Sequence, residues 1–142
     1  MQIQWKGLTM QAEKRILVVE DDLVVGRIIF QMIRSVTPNV KIDWFLSAEE
    51  ALSKINELES LSGTFYDFII ADIALAGRTT GLDLWHTCKR RNLVTQFLFI
   101  SGMPKETFMK SIEGDTNAVP PQYLQKPLSI AEGKEIIANA IN

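Results

Sequence analysis

The sequence is poor in the features that mark secreted, membrane-bound or disulfide-stapled proteins. Its 142 residues include one cysteine, Cys88, so no internal disulfide can form and a reducing compartment is expected. No apolar run approaches the roughly 20 residues that a membrane span needs. The first residues, MQIQWKGLTMQAEKR, lack the apolar core of a signal peptide. We therefore expect a cytoplasmic protein with no membrane segment.

An excess of charge of one sign is also missing. The chain carries 15 basic and 17 acidic residues, a formal net charge of −2, with no block of like charges. This balance lacks the basic footprint of a nucleic-acid-binding protein, so no direct contact with nucleic acid is expected. Hydrophobic residues make up 46% and charged residues 23%, as in globular rather than disordered proteins.

Periodicity divides the chain at about residue 13. Residues 1–13 show no clear pattern, and we interpret them as a loose N-terminal extension to one domain over residues 14–142. Apolar runs in that domain predict strands at residues 16–19, 40–46, 68–71, 97–100 and 123–124. Amphipathic segments between and after them predict five helices. The first covers 23–36, the second is opened by Ser47, the third covers 81–91, the fourth runs from Pro104 to Gly114, and the last is opened by Ser129.

This alternation of strand and helix predicts an α/β fold. A strand–helix unit repeated five times favours a doubly wound parallel sheet with helices on both faces. Continuous apolar strands are typical of such a sheet, because both of its faces are covered. Ligands of these folds bind outside the carboxyl ends of the strands, so the residues that follow each strand become candidates for a site.

Polar residues follow four of the five strands. Glu20 and Asp21 come after the first, Asp72 after the third, Ser101 after the fourth, and Lys126 after the fifth. Clustered carboxylates repel one another, and a hard divalent cation relieves that repulsion. Mg²⁺ prefers oxygen ligands and leaves positions open to phosphate oxygens. A carboxylate beside Mg²⁺ can attack phosphorus and form an acyl phosphate, with lysine and hydroxyl groups stabilising the oxygens in transit.

These motifs together resemble those of response-regulator receiver domains in two-component signalling. The resemblance covers about residues 14–142 and rests on ILVVEDD at 16–22, Asp72, Ile100-Ser101-Gly102 and Lys126-Pro127. It implies a flavodoxin-like (βα)5 fold with strand order 2-1-3-4-5. The resemblance also implies that this domain is a signalling module rather than an enzyme, beyond its own phosphoryl transfer and slow self-hydrolysis.

The resemblance assigns a role to each residue that matches the family pattern. Asp72 corresponds to the phosphorylated aspartate, and Lys126 to the lysine that pairs with it through a typically cis bond to Pro127. Ser101 corresponds to the hydroxyl residue that turns towards the phosphoryl group. Tyr123 corresponds to the aromatic residue that swings inward when the hydroxyl residue moves, and the two form the switch pair. Mg²⁺ would be bound by Asp21, Asp72 and the Ala74 carbonyl, and by Glu20 through water.

Several residues depart from the commonest pattern or have a structural alternative. The loop after Asp72 is one residue longer than in short receivers and lacks the usual proline. Ala74 offers no polar side chain near the phosphate, and Met103 follows Ser101 by two residues. These positions concern the lifetime of the phosphoryl group. Asp22 is interpreted as a helix N-cap and His86 as a packing or surface residue. The alternative role for Glu20 and Asp21 is to begin a helix, where acidic side chains interact favourably with the helix dipole.

The expected partners are a sensor histidine kinase or histidine phosphotransfer protein, and an unidentified downstream protein. We expect a monomer or a weak homodimer. The alternative hypothesis is a pseudo-receiver, a constitutive protein-binding module that keeps the fold without phosphorylation. A hydrolase of the aspartyl-phosphate type is disfavoured, because Ala74 stands where such an enzyme needs a second aspartate.

Overall fold

The computed structural model describes the backbone of residues 2–5 and 8–11, and residues 13–61, 65–75, 77–93, 95–115 and 120–142. Within these ranges the strands are β1 (Gln2–Trp5), β2 (Leu8–Gln11), β3 (Lys14–Val19), β4 (Val40–Phe45), β5 (Phe68–Asp72), β6 (Gln96–Ser101) and β7 (Gln122–Gln125). The helices are α1 (Leu23–Val36), α2 (Ala48–Leu61), α3 (Gly81–Arg90), α4 (Lys105–Ser111) and α5 (Ile130–Ile141). None of the helices in the described ranges is long and apolar enough to cross a membrane.

Five of the strands form one parallel sheet in the order β4-β3-β5-β6-β7. Numbered along the chain from β3, this is the order 2-1-3-4-5, so the predicted flavodoxin-like fold is confirmed. The central strand β3 pairs with β4 on one side and β5 on the other. The order reverses at this strand, and a crevice at its carboxyl end is where such folds bind ligands.

Both faces of the sheet are buried, which explains the continuous apolar strands. In β3, Leu17 and Val19 face a core of α2, α3 and α4 side chains that is rich in aromatic rings. Ile16 and Val18 face the opposite core, an aliphatic one between the sheet and helices α1 and α5. Full burial of each such side chain contributes about 1.5–3 kcal/mol, so the sheet is well able to hold its strand ends in place.

Side-chain caps fix where the helices begin. Asp22 Oδ1 accepts hydrogen bonds from Val24 N at 2.9 Å and Val25 N at 3.1 Å, as the N-cap prediction required. Ser129 caps α5, also as predicted. Thr80 and Asp83 form a reciprocal capping box at the start of α3. Helix α4 ends at Ser111, earlier than the predicted stop at Gly114.

The N-terminal segment contains regular backbone that the sequence did not predict. β1 and β2 pair antiparallel, with Ile3 opposite Met10 and Trp5 opposite Leu8. The absence of a clear pattern over residues 1–13 had suggested no strands there. The division into an extension and a domain at residue 13 stays a prediction.

Candidate functional site

The parallel sheet brings the predicted site residues to its carboxyl edge. Glu20 follows β3, Asp72 ends β5, Ser101 ends β6, and Lys126 follows β7. Backbone hydrogen bonds hold these strand ends together, from Lys126 N to Ser101 O at 2.8 Å and from Ile73 N to Ile100 O at 3.3 Å. Residues separated by up to about a hundred positions in sequence therefore share one pocket because of strand order alone.

Lys126 bridges two buried carboxylates. Its Nζ lies 2.6 Å from Asp72 Oδ2, to which it donates a hydrogen bond, and 3.2 Å from Glu20 Oε1. Glu20 is fully buried and Asp72 is 4% exposed, whereas the lysine side chain is 25% exposed. A lysine that reaches in from solvent over two buried acids can pair with a newly added anion without leaving the site.

Burial and neighbouring charges shift the pKa values of Glu20 and Lys126. Burial, and then the charge of Asp72, raise the pKa of Glu20 to about 7 despite the nearby Lys126 ammonium. Burial opposes the charge of Lys126, but the hydrogen bond to Asp72 and the charges of Asp72 and Glu20 outweigh it and raise its pKa. One ammonium therefore does not fully compensate the carboxylates that surround it.

Three carboxylates at this edge could hold a metal ion. One oxygen from each of Glu20, Asp21 and Asp72 lies within 4.8 Å of the others. Glu20 Oε1 is buried and makes no hydrogen bond, although the Lys126 ammonium is close enough to form a charge pair with it. A buried carboxylate oxygen with no hydrogen bond, among all-oxygen donors, fits a hard cation such as Mg²⁺.

The loop after Asp72 begins with a tight turn onto its carboxylate. Ala74 N donates to Asp72 Oδ1 at 3.0 Å, so the second oxygen of this carboxylate is also oriented. Gly81, the first residue of α3, lies against the same strand end, where an added Cβ would overlap the carbonyl oxygen of Asp72. Sequence reasoning missed this glycine, because nothing near it in the chain signals the contact. The Ala74 carbonyl as a metal ligand stays a prediction, and Ala76 lies outside the described residues.

Ser101 and Tyr123 lie next to each other beside the site. Both side chains are nearly buried. The Tyr123 hydroxyl donates to the carbonyl oxygens of Ser101 and Met103, and the tyrosine ring stacks on Phe108 at 4.4 Å. Ser101 Oγ accepts a hydrogen bond from Met103 N at 3.2 Å. The peptide bond between Lys126 and Pro127 is cis, as the resemblance implied.

Asp22, His86 and Cys88 lie outside this group. Asp22 caps α1, and its backbone N donates to Glu20 Oε2 at 3.2 Å. His86 packs against the ring of Trp85 on α3. Cys88 is buried in the aromatic core, and that burial raises the pKa of its thiol to about 12. The structural interpretations of Asp22 and His86 from sequence therefore agree with their positions.

The comparison with protein families identifies the class of this domain. Residues 16–138 match the response regulator receiver domain, and the chain belongs to this family. Receiver domains are signalling modules of two-component systems and are generally not enzymes. A comparison with curated proteins finds no match.

Solved receiver domains share the fold at low sequence identity. The receiver domain of the Francisella response regulator 1452 is 21% identical, with a TM-score of 0.70 over 90% of this chain and 96% of that one. A two-component response regulator from Cytophaga hutchinsonii is 22% identical, with a TM-score of 0.70 over 91% and 99%. The receiver domain of a putative Luxo repressor protein from Vibrio parahaemolyticus is 16% identical, with a TM-score of 0.73 over 91% and 90%.

Proposed function

We propose that this receiver domain is a phosphoacceptor in which Asp72 takes a phosphoryl group from a phosphohistidine. The supporting observation is the position of Lys126, 2.6 Å from Asp72 and 3.2 Å from Glu20, at an edge where Asp21 adds a third carboxylate. The donor would be a sensor histidine kinase or a histidine phosphotransfer protein, acting in the cytoplasm.

The proposed transfer exchanges one bond to phosphorus for another. An oxygen of Asp72 bonds to phosphorus while the bond to the donor's imidazole nitrogen breaks, and that nitrogen keeps the electron pair. The Lys126 ammonium and the Ser101 hydroxyl donate to the phosphoryl oxygens. Asp21, Asp72 and the Ala74 carbonyl, with Glu20 through water, would hold Mg²⁺, which neutralises phosphoryl charge when bound. Slow attack by water on the acyl phosphate releases inorganic phosphate and returns the Asp72 carboxylate to its starting state.

The proposed switch passes from Ser101 to Tyr123. Movement of Ser101 toward the phosphoryl group disturbs the turn whose carbonyls accept the Tyr123 hydroxyl. Tyr123 also lines a cleft of about 660 Å³ between α4, β7 and α5, with Lys105, Met109 and Glu132 among its walls. A downstream protein would contact this surface, and the domain would act as a monomer or weak homodimer.

The proposal is tested by comparing wild type with Asp72→Asn in Mg²⁺ and acetyl phosphate. We expect intact mass spectrometry to find one added phosphoryl group on wild type and none on Asp72→Asn. Asp22→Asn is the matched control, because it removes the same charge nearby while asparagine caps a helix as well as aspartate does. Equal responses of wild type and Asp72→Asn would contradict the proposal.

Binding of Mg²⁺ and of a beryllofluoride analogue separates the phosphoacceptor from the pseudo-receiver. A pseudo-receiver would bind no Mg²⁺ at millimolar concentration and would not respond to a beryllofluoride analogue of the phosphoryl group. A phosphoacceptor responds to both, with changes in tryptophan fluorescence if Trp44 or Trp85 senses the site. The three carboxylates gathered around one ammonium support the phosphoacceptor, because an inert module gains nothing from their repulsion.

A further inference from the structure

Trp44 belongs to none of the site motifs, yet it connects strand β4, helix α1 and the backbone of Glu20. It lies on the edge strand β4, and its indole crosses to α1, where it occupies the space beside Gly26. A Cβ at Gly26 would overlap ring carbon Cζ2 and lie 2.6 Å from Cε2. The ring therefore reaches this position only because residue 26 has no side chain.

The indole nitrogen completes a clamp on the backbone of Glu20. Trp44 Nε1 donates to the Glu20 carbonyl at 2.9 Å. On its other side, Glu20 N donates to the carbonyl of Phe45 at 3.1 Å. Both ends of this residue are thus tied to β4. The Glu20 carbonyl also belongs to the rigid peptide plane that leads into Asp21, so fixing it fixes the start of Asp21 as well.

We infer that Trp44 is a positioning residue for the acidic pair: its N–H holds the peptide plane that carries Glu20 and Asp21 toward the cation. The inference rests on the proposed function, in which both acids help to bind Mg²⁺. Groups that orient metal ligands without touching the metal commonly affect its affinity. Strand β3 ends one residue earlier, at Val19, so the sheet alone does not fix this plane.

Two single variants disturb the clamp in different ways. Trp44→Phe keeps an aromatic ring but removes the N–H donor. Gly26→Ala keeps the donor but displaces the indole, although alanine is normally favoured over glycine inside a helix. We expect each to weaken Mg²⁺ binding by about three- to tenfold in calorimetric titration, the range for one lost hydrogen bond near a ligand. A phenyl ring at position 44 is smaller than the indole and leaves room for a methyl group at position 26. The double variant should therefore bind no more weakly than Trp44→Phe alone.

Urea unfolding of each variant separates positioning from packing. A variant that only loses packing unfolds at lower urea, yet binds Mg²⁺ as wild type does while it is folded. Trp85→Phe is the matched control, since it removes a buried indole from α3 on the opposite face. Wild-type affinity in both single variants overturns the inference, and so does full additivity in the double variant.

A readout without metal keeps this test independent of the proposed function. In metal-free protein, amide hydrogen exchange at Glu20 and Asp22 should speed up in Trp44→Phe and Gly26→Ala, but not in Trp85→Phe. If wild type binds no Mg²⁺, the proposed function fails. Amide exchange then tests on its own whether Trp44 holds the backbone of Glu20. Unchanged exchange in both variants overturns the inference even if wild type is phosphorylated normally.

Discussion

Two polar clusters flank strand β3, and they balance their charges differently. Toward its start, the Arg15 cluster joins Arg15, Asp43 and Tyr66: the tyrosine hydroxyl donates to Asp43 Oδ2 at 2.6 Å, and the guanidinium lies 3.9 Å from the same oxygen. At its end, the acidic cluster sets the buried carboxylates of Glu20 and Asp72 against the Lys126 ammonium, with Asp21 close by. The first cluster matches one acid with one base, whereas in the second two buried acids share one base.

This difference distinguishes a structural cluster from a site. Burial and the Asp43 carboxylate raise the pKa of Tyr66, so its proton stays in the hydrogen bond to Asp43 and the tyrosine adds no charge. Each cluster contains one buried atom that makes no hydrogen bond, Arg15 Nε in the first and Glu20 Oε1 in the second, so the difference between them lies in the charge balance. Uncompensated buried negative charge is destabilising unless a cation arrives, and Mg²⁺ is the cation that the proposed function supplies.

Removing the basic residue of each cluster should give the largest contrast. Lys126→Ala leaves Asp72 and Glu20 buried without this cation, and we expect a loss of about 2–4 kcal/mol in the free energy of unfolding. Millimolar Mg²⁺ should restore much of it. Arg15→Ala should lose about 1–2 kcal/mol, because Asp43 keeps its bond to Tyr66, and Mg²⁺ should not restore it. Urea unfolding with and without Mg²⁺ measures both; equal rescue of the two variants would contradict the contrast.

The pH dependence of stability should identify Glu20 as the acid whose ionisation destabilises the fold. Its pKa is raised to about 7 by burial and Asp72, so in metal-free protein the folded state binds a proton that the unfolded state has released. Stability therefore falls as pH rises from about 4.5 to about 7, by a few kcal/mol at about 1.4 kcal/mol per unit.

Glu20→Gln should remove this part of the pH dependence and be more stable than wild type at pH 8 in EDTA. Exposed Glu113→Gln serves as the control. Parallel stability curves for wild type and Glu20→Gln between pH 4.5 and 8 would show that ionisation of Glu20 does not destabilise the fold.

The same substitution in the two clusters should have a smaller but separable effect. Tyr66→Phe removes the hydroxyl that donates to Asp43, with an expected loss of about 1 kcal/mol in stability and no change in Mg²⁺ affinity. Tyr123→Phe removes the hydroxyl bound to the Ser101 and Met103 carbonyls. We expect it to be phosphorylated normally but to lose the beryllofluoride-induced change at the α4, β7 and α5 surface, measured by amide exchange. A retained change would exclude Tyr123 from the switch.

The convergence of the site residues could be predicted from the sequence because it depends only on strand order. Residues after parallel strands share one edge whatever fills the core, so Asp72 and Lys126 could be placed together. Helix starts with local caps, such as Asp22, were predictable for a similar reason, since the cap and its partners are near neighbours in the chain.

Contacts that depend on distant side chains could not be predicted. The Trp44 ring fits beside α1 because Gly26 has no Cβ. The carbonyl of Asp72 at the end of β5 lies against α3 because Gly81 has none. Neither glycine differs in sequence context from one that merely loosens a helix. The β1–β2 pairing was also missed, because two short strands give too little alternation to distinguish from an irregular segment.

The central claim is that the acidic cluster makes Asp72 the phosphoacceptor, and chemical trapping tests it most directly. Wild-type protein would be treated with acetyl phosphate and Mg²⁺, then with borohydride, which reduces an acyl phosphate to a primary alcohol. Peptide mass spectrometry locates the reduced residue. The account predicts reduction at Asp72 alone, lost in EDTA and in Asp72→Asn. Reduction at Glu20 or Asp21 instead, or no Mg²⁺-dependent reduction at all, would contradict it.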